Sequence, residues 1–180
     1  MTTVLQGKRK VGLVGTGAVG ASFAYALMIR EGASELVLVD INTRKAEGEA
    51  MDLNHGLSFG SPMKIYVGDY GDLANCNVVV ICAGASQKPG ETRLDLLARN
   101  ASIFRQIVPQ VVKNNPNGII LIATNPVDLL TYISLKESNL LPTKVIGSGT
   151  ILDTSRFRHL LGQHYEVDAR SVHASIIGEH

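Results

Sequence analysis

The chain has 180 residues, of which 45% are hydrophobic and 18% charged, so it can bury a sizeable core. Its net charge of +1 and its longest basic run, Lys8-Arg9-Lys10, argue against a nucleic acid or a membrane surface as partner. The N-terminal segment is polar, and no apolar stretch approaches about 18 uninterrupted residues. The spacing of Cys76 and Cys82 indicates neither metal nor redox chemistry, so we expect a cytoplasmic protein without a metal site.

Short apolar runs alternate with helical patterns along the chain. The runs are typical of strands buried on both faces of a parallel sheet, and they cover residues 10–14, 36–40, 64–67, 78–82, 119–123 and 144–147. Helical patterns lie between them at Ala18–Glu31, Thr43–Leu57 and Leu94–Lys113. Pro109 falls inside the third helix and predicts a kink or an early end there. The alternation predicts an α/β fold, a doubly wound parallel sheet with ligands at the carboxyl ends of its strands.

The pattern changes after Gly147. A helix is predicted over Thr150–Leu161, and a strand-like segment over Ser171–Ile177. We therefore divide the chain into a dinucleotide-binding domain, residues 1–147, and the start of a second, substrate-binding domain, residues 148–180. The sequence ends at His180 without a charged tail or capping element, and we expect it to be part of a larger protein.

The first predicted strand leads into Gly15-Thr16-Gly17-Ala18-Val19-Gly20, which has the spacing G-x-G-x-x-G. The first glycine permits a tight turn, the second lets a pyrophosphate approach the backbone, and the third lets the helix pack closely on the strand. The N–H groups and dipole at the helix N-terminus favour phosphates. Because a buried strand precedes the motif and a helix follows it, we interpret it as a dinucleotide site and not only as a structural turn.

Asp40 ends the second predicted strand, twenty residues after the last glycine of the motif. A carboxylate at this position accepts hydrogen bonds from the ribose hydroxyls of NAD and repels the 2′-phosphate of NADP. Arg44 lies nearby and offers a charge for that phosphate, but we interpret it as a solvated residue in the first turn of a helix. NAD is therefore the expected cofactor.

Two further strand ends carry residues that suit a ligand site. The segment Ala83–Arg93 follows a strand, is rich in Gly and Pro and runs into a long helix, which is the position of a lid over a strand-end site. Taken alone, Arg93 is interpreted as a solvated surface charge. Asn125 either caps the next helix, with Pro126 at the first helical position, or donates its amide to a substrate. The local sequence leaves both interpretations open.

The helix near the end of the chain carries paired charges. Asp153 and Arg156 are three residues apart and share a face, whereas Arg158 points elsewhere. The pair is either a surface ion pair of little energetic weight or two groups with separate partners. In the second case Arg156 binds a substrate carboxylate and Asp153 orients an imidazole, for which His180 is the candidate.

Five motifs, in order and spacing, resemble the NAD-dependent L-lactate dehydrogenases, and in particular the bacterial members: GTGAVG with Asp40, AGASQKPGETRLDLL, ATNPVD, LDTSRFR and IIGEH. The resemblance covers the whole chain and implies that most of the substrate-binding half of a family member lies beyond it. It also implies reversible hydride transfer between NADH and pyruvate to give L-lactate, the last step of anaerobic glycolysis, in a homotetramer. The 180-residue chain alone is expected to be a catalytically silent NAD-binding fragment.

The resemblance implies a role for each matching residue. His180 exchanges a proton with the substrate oxygen, and Asp153 holds its imidazole and stabilises the charged form. Arg156 clamps the substrate carboxylate, Arg93 on a closing loop polarises the carbonyl, and Asn125 hydrogen-bonds the carbonyl oxygen. The cofactor contacts implied beyond the glycine motif and Asp40 are Gly84, Ala85, Asn125 and Ser148.

Gln87 separates two candidate activities. The related malate dehydrogenases have an arginine here that pairs with a second carboxylate, whereas a neutral amide suits the methyl group of pyruvate. Malate dehydrogenase is therefore the alternative that Gln87 opposes, with Lys88 interpreted as facing outward. Arg158 and His173 match the positions at which many bacterial members bind fructose 1,6-bisphosphate across a subunit interface. This match implies activation by that ligand, and ordinary surface charge is the alternative.

Overall fold

A computed structural model describes residues 9–180; Lys8 and the polar segment before it lie outside the described residues. The strands are β1 (Lys10–Val14), β2 (Glu35–Val39), β3 (Lys64–Val67), β4 (Val78–Ile81), β5 (Ile119–Ile122) and β6 (Val145–Gly147). The α-helices are α1 (Ala18–Ile29), α2 (Thr43–Gly56), α3 (Arg93–Asn114), α4 (Val127–Ser138) and α5 (Ile151–Tyr165).

The strands form one sheet in the order β3-β2-β1-β4-β5-β6, and every pairing is parallel. This is the order of the dinucleotide-binding Rossmann fold, so the predicted doubly wound α/β architecture is confirmed. The order reverses between β1 and β4, where Val14 pairs with Ile81. Because the chain leaves these two neighbouring strands in opposite directions, their carboxyl ends open a crevice for a ligand.

The core lies on both faces of the sheet, as continuous apolar strands require. On one face the strands pack against α3 and α4 through a cluster that contains Phe104 and Leu130. On the other face they pack against α1 and α2 through a cluster that contains Met28 and Leu53. Burying one such side chain contributes about 1.5–3 kcal/mol, so the two clusters fix the strand ends that carry the site.

The helix α3 does not end early at Pro109, which was one of the two expectations for that position. It continues to Asn114, five residues further along the chain. Proline removes one backbone hydrogen bond, but Val108 and Val111 on either side of it are completely buried. Pro109 itself is exposed, so core packing keeps the helix continuous while the proline faces solvent.

The strand predicted over Ser171–Ile177 is wrong. Within residues 9–180 no strand lies beside this segment to form a ladder, and a 3₁₀ turn occupies Ala169–Ser171. The rest is an irregular segment that binds to α5, where the Ile176 N–H donates to Thr154 Oγ1 at 3.0 Å. Half-buried and exposed residues alternate along this segment because one side of it packs on a helix.

Candidate functional site

The turn between β1 and α1 has room for side chains at only one of its three glycines. Gly15 has φ +97°, and a Cβ there would overlap the backbone of Ala83. A Cβ at Gly20 would overlap the carbonyl oxygen of Gly15. Gly17 instead faces open space, with no atom within 4 Å of a Cβ placed on it. Two glycines thus allow the backbone to fold tightly, and the third leaves a free approach to the turn.

The N-terminus of α1 suits an anion. Gly17 is its N-cap, no side chain caps it, and its first turn contains no acidic residue. The N–H groups of the first helical turn lack partners inside the helix, and the helix dipole adds positive potential. The open space beside Gly17 therefore fits the pyrophosphate of a dinucleotide.

Asp40, directly after β2, is held by groups of the glycine turn. Its Oδ2 accepts the N–H of Thr16 at 2.6 Å and the Thr16 hydroxyl at 2.9 Å, and its Oδ1 accepts the Asn42 N–H at 2.8 Å. Burial alone raises the pKa of Asp40, but these hydrogen bonds outweigh it and lower the pKa below its ordinary value of 3.8. The carboxylate is therefore charged at neutral pH, with acceptor capacity left on Oδ1.

A cleft of ≈ 840 Å³ lies at the carboxyl ends of β1, β2 and β4. Small-molecule sites usually measure about 300–1,000 Å³. Six of the residues predicted to bind the cofactor line it: Gly15, Gly17, Ala18, Asp40, Gly84 and Ala85. Val19, Gly20, Asn125 and Ser148, which were predicted with them, do not line it. Gly20 is buried behind the turn, and Ser148 follows β6, where its N–H donates to the Ile122 carbonyl at 2.8 Å.

Sequence reasoning missed one wall of this cleft. The long helix α3 contributes residues at spacings of three, one and three, which is a single helical face: Ile103, Gln106, Ile107 and Gln110. Lys45 and Tyr70 also line the cleft without having been predicted. The spacing on α3 was a usable signal, whereas Tyr70 lies in a loop after β3 and had none. Arg44, the considered phosphate ligand, is exposed and does not line the cleft.

The loop between β4 and α3 is held by hydrogen bonds within itself and to the helix. Gln87 Nε2 donates to the Glu91 carbonyl at 2.7 Å, and the Lys88 N–H donates to Glu91 Oε2 at 2.8 Å. Arg99 on α3 donates to the Ser86 carbonyl and to Glu91 Oε2, both at 2.8 Å.

Arg93 is the first residue of α3, after the N-cap Thr92, and its side chain is exposed. The N-cap of α4 is Pro126 and not Asn125, so the capping interpretation of Asn125 is wrong. The proline ends the non-helical segment and α4 begins one residue later, at Val127. Asn125 itself is exposed, and its carbonyl accepts the Asn100 amide at 3.1 Å.

A second group of predicted residues meets at the N-terminal half of α5. The Nδ1 of His180 lies 2.5 Å from Asp153 Oδ2, and the His180 N–H donates to Asp128 Oδ2 at 2.8 Å. Arg156 Nη1 lies 3.6 Å from Asp153 Oδ1, so the three side chains are contiguous. The hydrogen bond from His180 is the largest cause of a lowered pKa for Asp153. An ionised carboxylate only accepts, so Nδ1 carries the proton and Nε2 is left for another partner.

Arg158 and His173 do not line the cleft and take no part in the contacts of His180 and Asp153. Arg158 is half-buried on α5, two residues beyond Arg156 and therefore on a different face. His173 is exposed in the segment that packs on α5. Within residues 9–180 neither side chain takes part in a hydrogen bond or ion pair with the other.

The described residues also bear on three other functional features: reactive thiols, clusters of metal ligands and membrane-spanning helices. Burial raises the pKa of both Cys76 and Cys82 to about 11, so both thiols stay protonated at neutral pH. In residues 9–180 no three His, Cys, Asp or Glu side chains come together as a metal site. No helix there is long and apolar enough to cross a membrane.

Residues 9–147 match the family model described as "lactate/malate dehydrogenase, NAD binding domain". The chain belongs to this family. Its cofactor is accordingly NAD, in agreement with the open approach at Gly17 and the charged Asp40. Similar proteins include the L-lactate dehydrogenases of Acetivibrio thermocellus, 56% identical over 172 residues, and of a Geobacillus species, 58% identical over 172 residues. These alignments cover 96% and 95% of this chain and 54% of each relative.

Two solved structures share the fold closely. A lactate dehydrogenase from a Medee basin deep-sea metagenome library superposes with a TM-score of 0.93 at 54% identity, and the minor L-lactate dehydrogenase of Enterococcus mundtii superposes with 0.94 at 49% identity. Each match covers 96% of this chain and 55% of the other. The chain thus spans about half the length of the relatives it matches.

Proposed function

We propose that the chain is the NAD-binding part of an L-lactate dehydrogenase, which reduces pyruvate to L-lactate with NADH and catalyses the reverse reaction, the last step of anaerobic glycolysis in the cytoplasm. In this proposal residues 1–147 form the dinucleotide-binding domain and residues 148–180 begin the substrate domain. The observation that carries it is the contact between His180 Nδ1 and Asp153, next to Arg156. Relatives named L-lactate dehydrogenase, 55–58% identical, support it further.

His180 is the proposed proton donor to the keto oxygen of pyruvate and the acceptor of the lactate hydroxyl proton. Asp153 accepts a hydrogen bond from the Nδ1–H group, so the imidazole presents Nε2 to the substrate. The negative carboxylate also stabilises the imidazolium that exists before proton transfer. The Asp128 carboxylate, by accepting the His180 backbone N–H, fixes the position of the residue. When bound, NADH supplies the hydride that the carbonyl carbon receives.

Three further side chains are proposed to hold the substrate. Arg156 has an exposed guanidinium, which offers two parallel N–H groups to the substrate carboxylate. Arg93, at the start of α3, is proposed to stabilise the negative charge that develops on the carbonyl oxygen. Asn125, exposed after β5, donates its amide to the same oxygen. Val19, Gly20, Asn125 and Ser148 do not line the cleft and are kept as proposed cofactor residues on the resemblance alone.

Gln87 is the proposed determinant of substrate. Its neutral amide offers no charge to pair with the second carboxylate of oxaloacetate, and burying that carboxylate unpaired is unfavourable. We expect Gln87→Arg to shift the ratio of kcat/KM values towards oxaloacetate by about 100-fold. Gln87→Asn, which keeps a neutral amide, is the control. An unchanged ratio in Gln87→Arg would contradict this assignment of Gln87.

The test of the proposed function is NADH oxidation by the product of the complete coding sequence, with pyruvate and oxaloacetate in parallel. Preference for pyruvate is expected, and preference for oxaloacetate would support the malate alternative. The 180-residue chain, assayed beside it, is expected to bind NADH and to reduce neither substrate. Turnover of pyruvate by the 180-residue chain would contradict its interpretation as a silent NAD-binding fragment.

Activation by fructose 1,6-bisphosphate is proposed through Arg158 and His173. A guanidinium and an imidazole can both donate hydrogen bonds to the phosphate groups of a bisphosphate. The proposal includes a homotetramer in which the ligand lies between subunits. Adding the bisphosphate to the assay is expected to lower KM for pyruvate in the wild type and not in Arg158→Gln. Sedimentation of the same samples measures the oligomeric state, and a monomer that responds to the ligand would exclude the interface model.

A further inference from the structure

The helix α3 carries a buried polar side chain for which the proposed chemistry has no use. Asn100 is only 1% exposed. Its Oδ1 accepts the N–H of Ala85 at 2.8 Å, and its Nδ2 donates to the carbonyl of Asn125 at 3.1 Å. A buried amide is unfavourable unless both halves are hydrogen-bonded, so these two contacts explain how Asn100 is tolerated in the interior.

The two partners of Asn100 belong to loops that follow neighbouring strands. Ala85 lies after β4, in the loop that lines the cleft, and Asn125 lies after β5. The loops come close together, because Thr124 Oγ1 donates to the Ala83 carbonyl at 2.8 Å. A Cβ added to Gly84 would lie only 2.5 Å from the Thr124 methyl group. Asn100 bridges this pair of loops from a third element, the helix.

The position of Asn100 on α3 extends this connection to the start of the helix. Arg93 is seven residues earlier, which is about two helical turns, so the two residues lie on the same side of α3. Arg99, next to Asn100, donates to the Ser86 carbonyl of the first loop at 2.8 Å. The helix α3 therefore contacts both the loop after β4 and the loop after β5, and it begins with Arg93, a proposed substrate residue.

We infer that Asn100 is a positioning residue that sets the distance between the loop after β4 and the loop after β5. It thereby places the cleft wall at Gly84 and Ala85 relative to Asn125. The inference rests on the proposed function, which gives these loops their ligands. Asparagine is suited to the role because one short planar group provides a donor and an acceptor on opposite sides.

Two substitutions separate the two halves of this bridge. Asn100→Asp keeps an acceptor for the Ala85 N–H but turns an oxygen towards the Asn125 carbonyl. Asn100→Leu keeps four side-chain heavy atoms in the same branched arrangement and removes both hydrogen bonds. The matched control is Asn115→Asp, because Asn115 is 5% exposed and donates its amide to the Cys76 carbonyl at 2.9 Å, at the opposite edge of the sheet.

NADH binding to the 180-residue chain is measured by fluorescence, together with urea unfolding and hydrogen exchange of the Ala85 amide. Asn100→Asp is expected to weaken NADH binding roughly tenfold, because a buried carbonyl loses its donor and faces an oxygen. Asn115→Asp is expected to lose similar stability with unchanged NADH affinity. The Ala85 amide is expected to exchange at least about tenfold faster in Asn100→Leu and to remain protected in Asn100→Asp.

Two outcomes would overturn the inference. One is an equal loss of NADH affinity in Asn115→Asp and Asn100→Asp, which would indicate general destabilisation. The other is an Ala85 amide that stays protected in Asn100→Leu. If the wild-type chain does not bind NADH, the proposed function fails, and Ala85 exchange still decides whether Asn100 holds the loop.

Discussion

The parallel strands begin along one side of the sheet, the amino edge, and end along the other, the carboxyl edge. The polar groups at these two edges have opposite roles. At the amino edge, where β1 to β3 begin, Lys10 Nζ donates to the carbonyls of Asp72 at 2.7 Å and Ala74 at 3.1 Å. The same ammonium lies 3.7 Å from the Glu35 carboxylate, to which Tyr66 donates its hydroxyl at 3.0 Å. These polar groups bind one another and connect the strand starts to the loop before β4.

A hollow at the amino edge illustrates the consequence. It measures ≈ 500 Å³ and lies between the starts of β4 and β5, with amide side chains around it. Two of these amides are hydrogen-bonded to backbone groups: Asn77 Oδ1 accepts the Lys10 N–H at 2.9 Å, and Asn115 Nδ2 donates to the Cys76 carbonyl at 2.9 Å. The hollow is thus lined by groups whose hydrogen bonds hold the fold together.

At the carboxyl edge the fold leaves hydrogen-bonding capacity free. The first turn of α1 has no side-chain cap, and the space beside Gly17 is open. Asp40 uses three of its acceptor positions on the protein and keeps one on Oδ1. The comparison indicates that a cleft becomes a binding site through polar groups that local structure leaves unpaired, more than through its volume.

The strongest test of this contrast compares two glycines of one turn. Gly15→Ala places a side chain at φ +97° against the Ala83 backbone, and we expect a loss of about 3 kcal/mol or more in the free energy of unfolding. Gly17 has φ −67° and ψ −174°, which any residue adopts, so Gly17→Ala should change stability by less than about 1 kcal/mol. It should nevertheless weaken NADH binding at least about tenfold, because the methyl group occupies the pyrophosphate approach.

Urea unfolding and NADH fluorescence titration of the two variants provide the measurement. Equal unfolding midpoints for Gly15→Ala and the wild type would show that the turn tolerates a Cβ after all. Unchanged NADH affinity in Gly17→Ala would show that the open space beside the helix is not where the pyrophosphate binds.

The second test compares a carboxylate at each edge. Asp40 is held by backbone N–H groups and a hydroxyl, whereas Glu35 is held by Tyr66 and by the charges of Lys10 and Lys64. Hydrogen bonds to a charged group contribute about 1.5–3 kcal/mol, so Asp40→Asn should lower the free energy of unfolding by about 2 kcal/mol. This loss should depend little on salt, because the charge of Lys45 contributes less than the hydrogen bonds. Glu35→Gln should lower the free energy of unfolding by about 1 kcal/mol. This loss should be smaller in about 1 M NaCl, because the salt screens the lysine charges.

The pH dependence of unfolding separates these contributions. Burial raises the pKa of both carboxyls, but hydrogen bonds and nearby charges lower each pKa overall, below 3.8 for Asp40 and below 4.5 for Glu35. A lowered folded-state pKa contributes stability that is present above these values and is lost as pH falls through the folded-state pKa. Each substitution should therefore flatten the acid limb of the stability curve. A Glu35→Gln cost that is independent of salt would contradict the assignment to charges.

The parts of the cofactor site that the residues alone predicted depend on neighbouring residues, whereas the role of Asp153 beside His180, 27 residues away, followed from the resemblance. Gly15 and Gly20 act within one turn, and Asp40 follows its strand directly, so their spacing alone indicated the cofactor edge. Asn100 gave no such signal, because its partners Ala85 and Asn125 are brought close only by the order of the strands. The strand predicted over Ser171–Ile177 was wrong for the same reason, because the local sequence does not indicate whether a strand or a helix lies beside the segment.

The smallest changes in the free energy of unfolding are expected from substituting two tyrosines, one at each edge. Tyr66 donates to Glu35 at the amino edge, whereas Tyr70 lines the cleft, and among the described residues its hydroxyl has no hydrogen-bond partner. Tyr66→Phe should lower the free energy of unfolding by about 1 kcal/mol and leave NADH affinity unchanged. Tyr70→Phe should leave the free energy of unfolding within about 0.5 kcal/mol of the wild type.

Alkaline unfolding tests the same pair through the pKa of Tyr66, which burial and then the hydrogen bond to Glu35 raise to about 12. A raised folded-state pKa contributes stability that is fully present below the ordinary value of 10.0 and is lost as pH rises towards 12. Wild-type stability should thus fall between these values more steeply than that of Tyr66→Phe. Parallel curves for the two proteins would mean that the Tyr66 hydroxyl titrates as it does in the unfolded chain. The amino edge would then lack the internal pairing that distinguishes it from the binding edge.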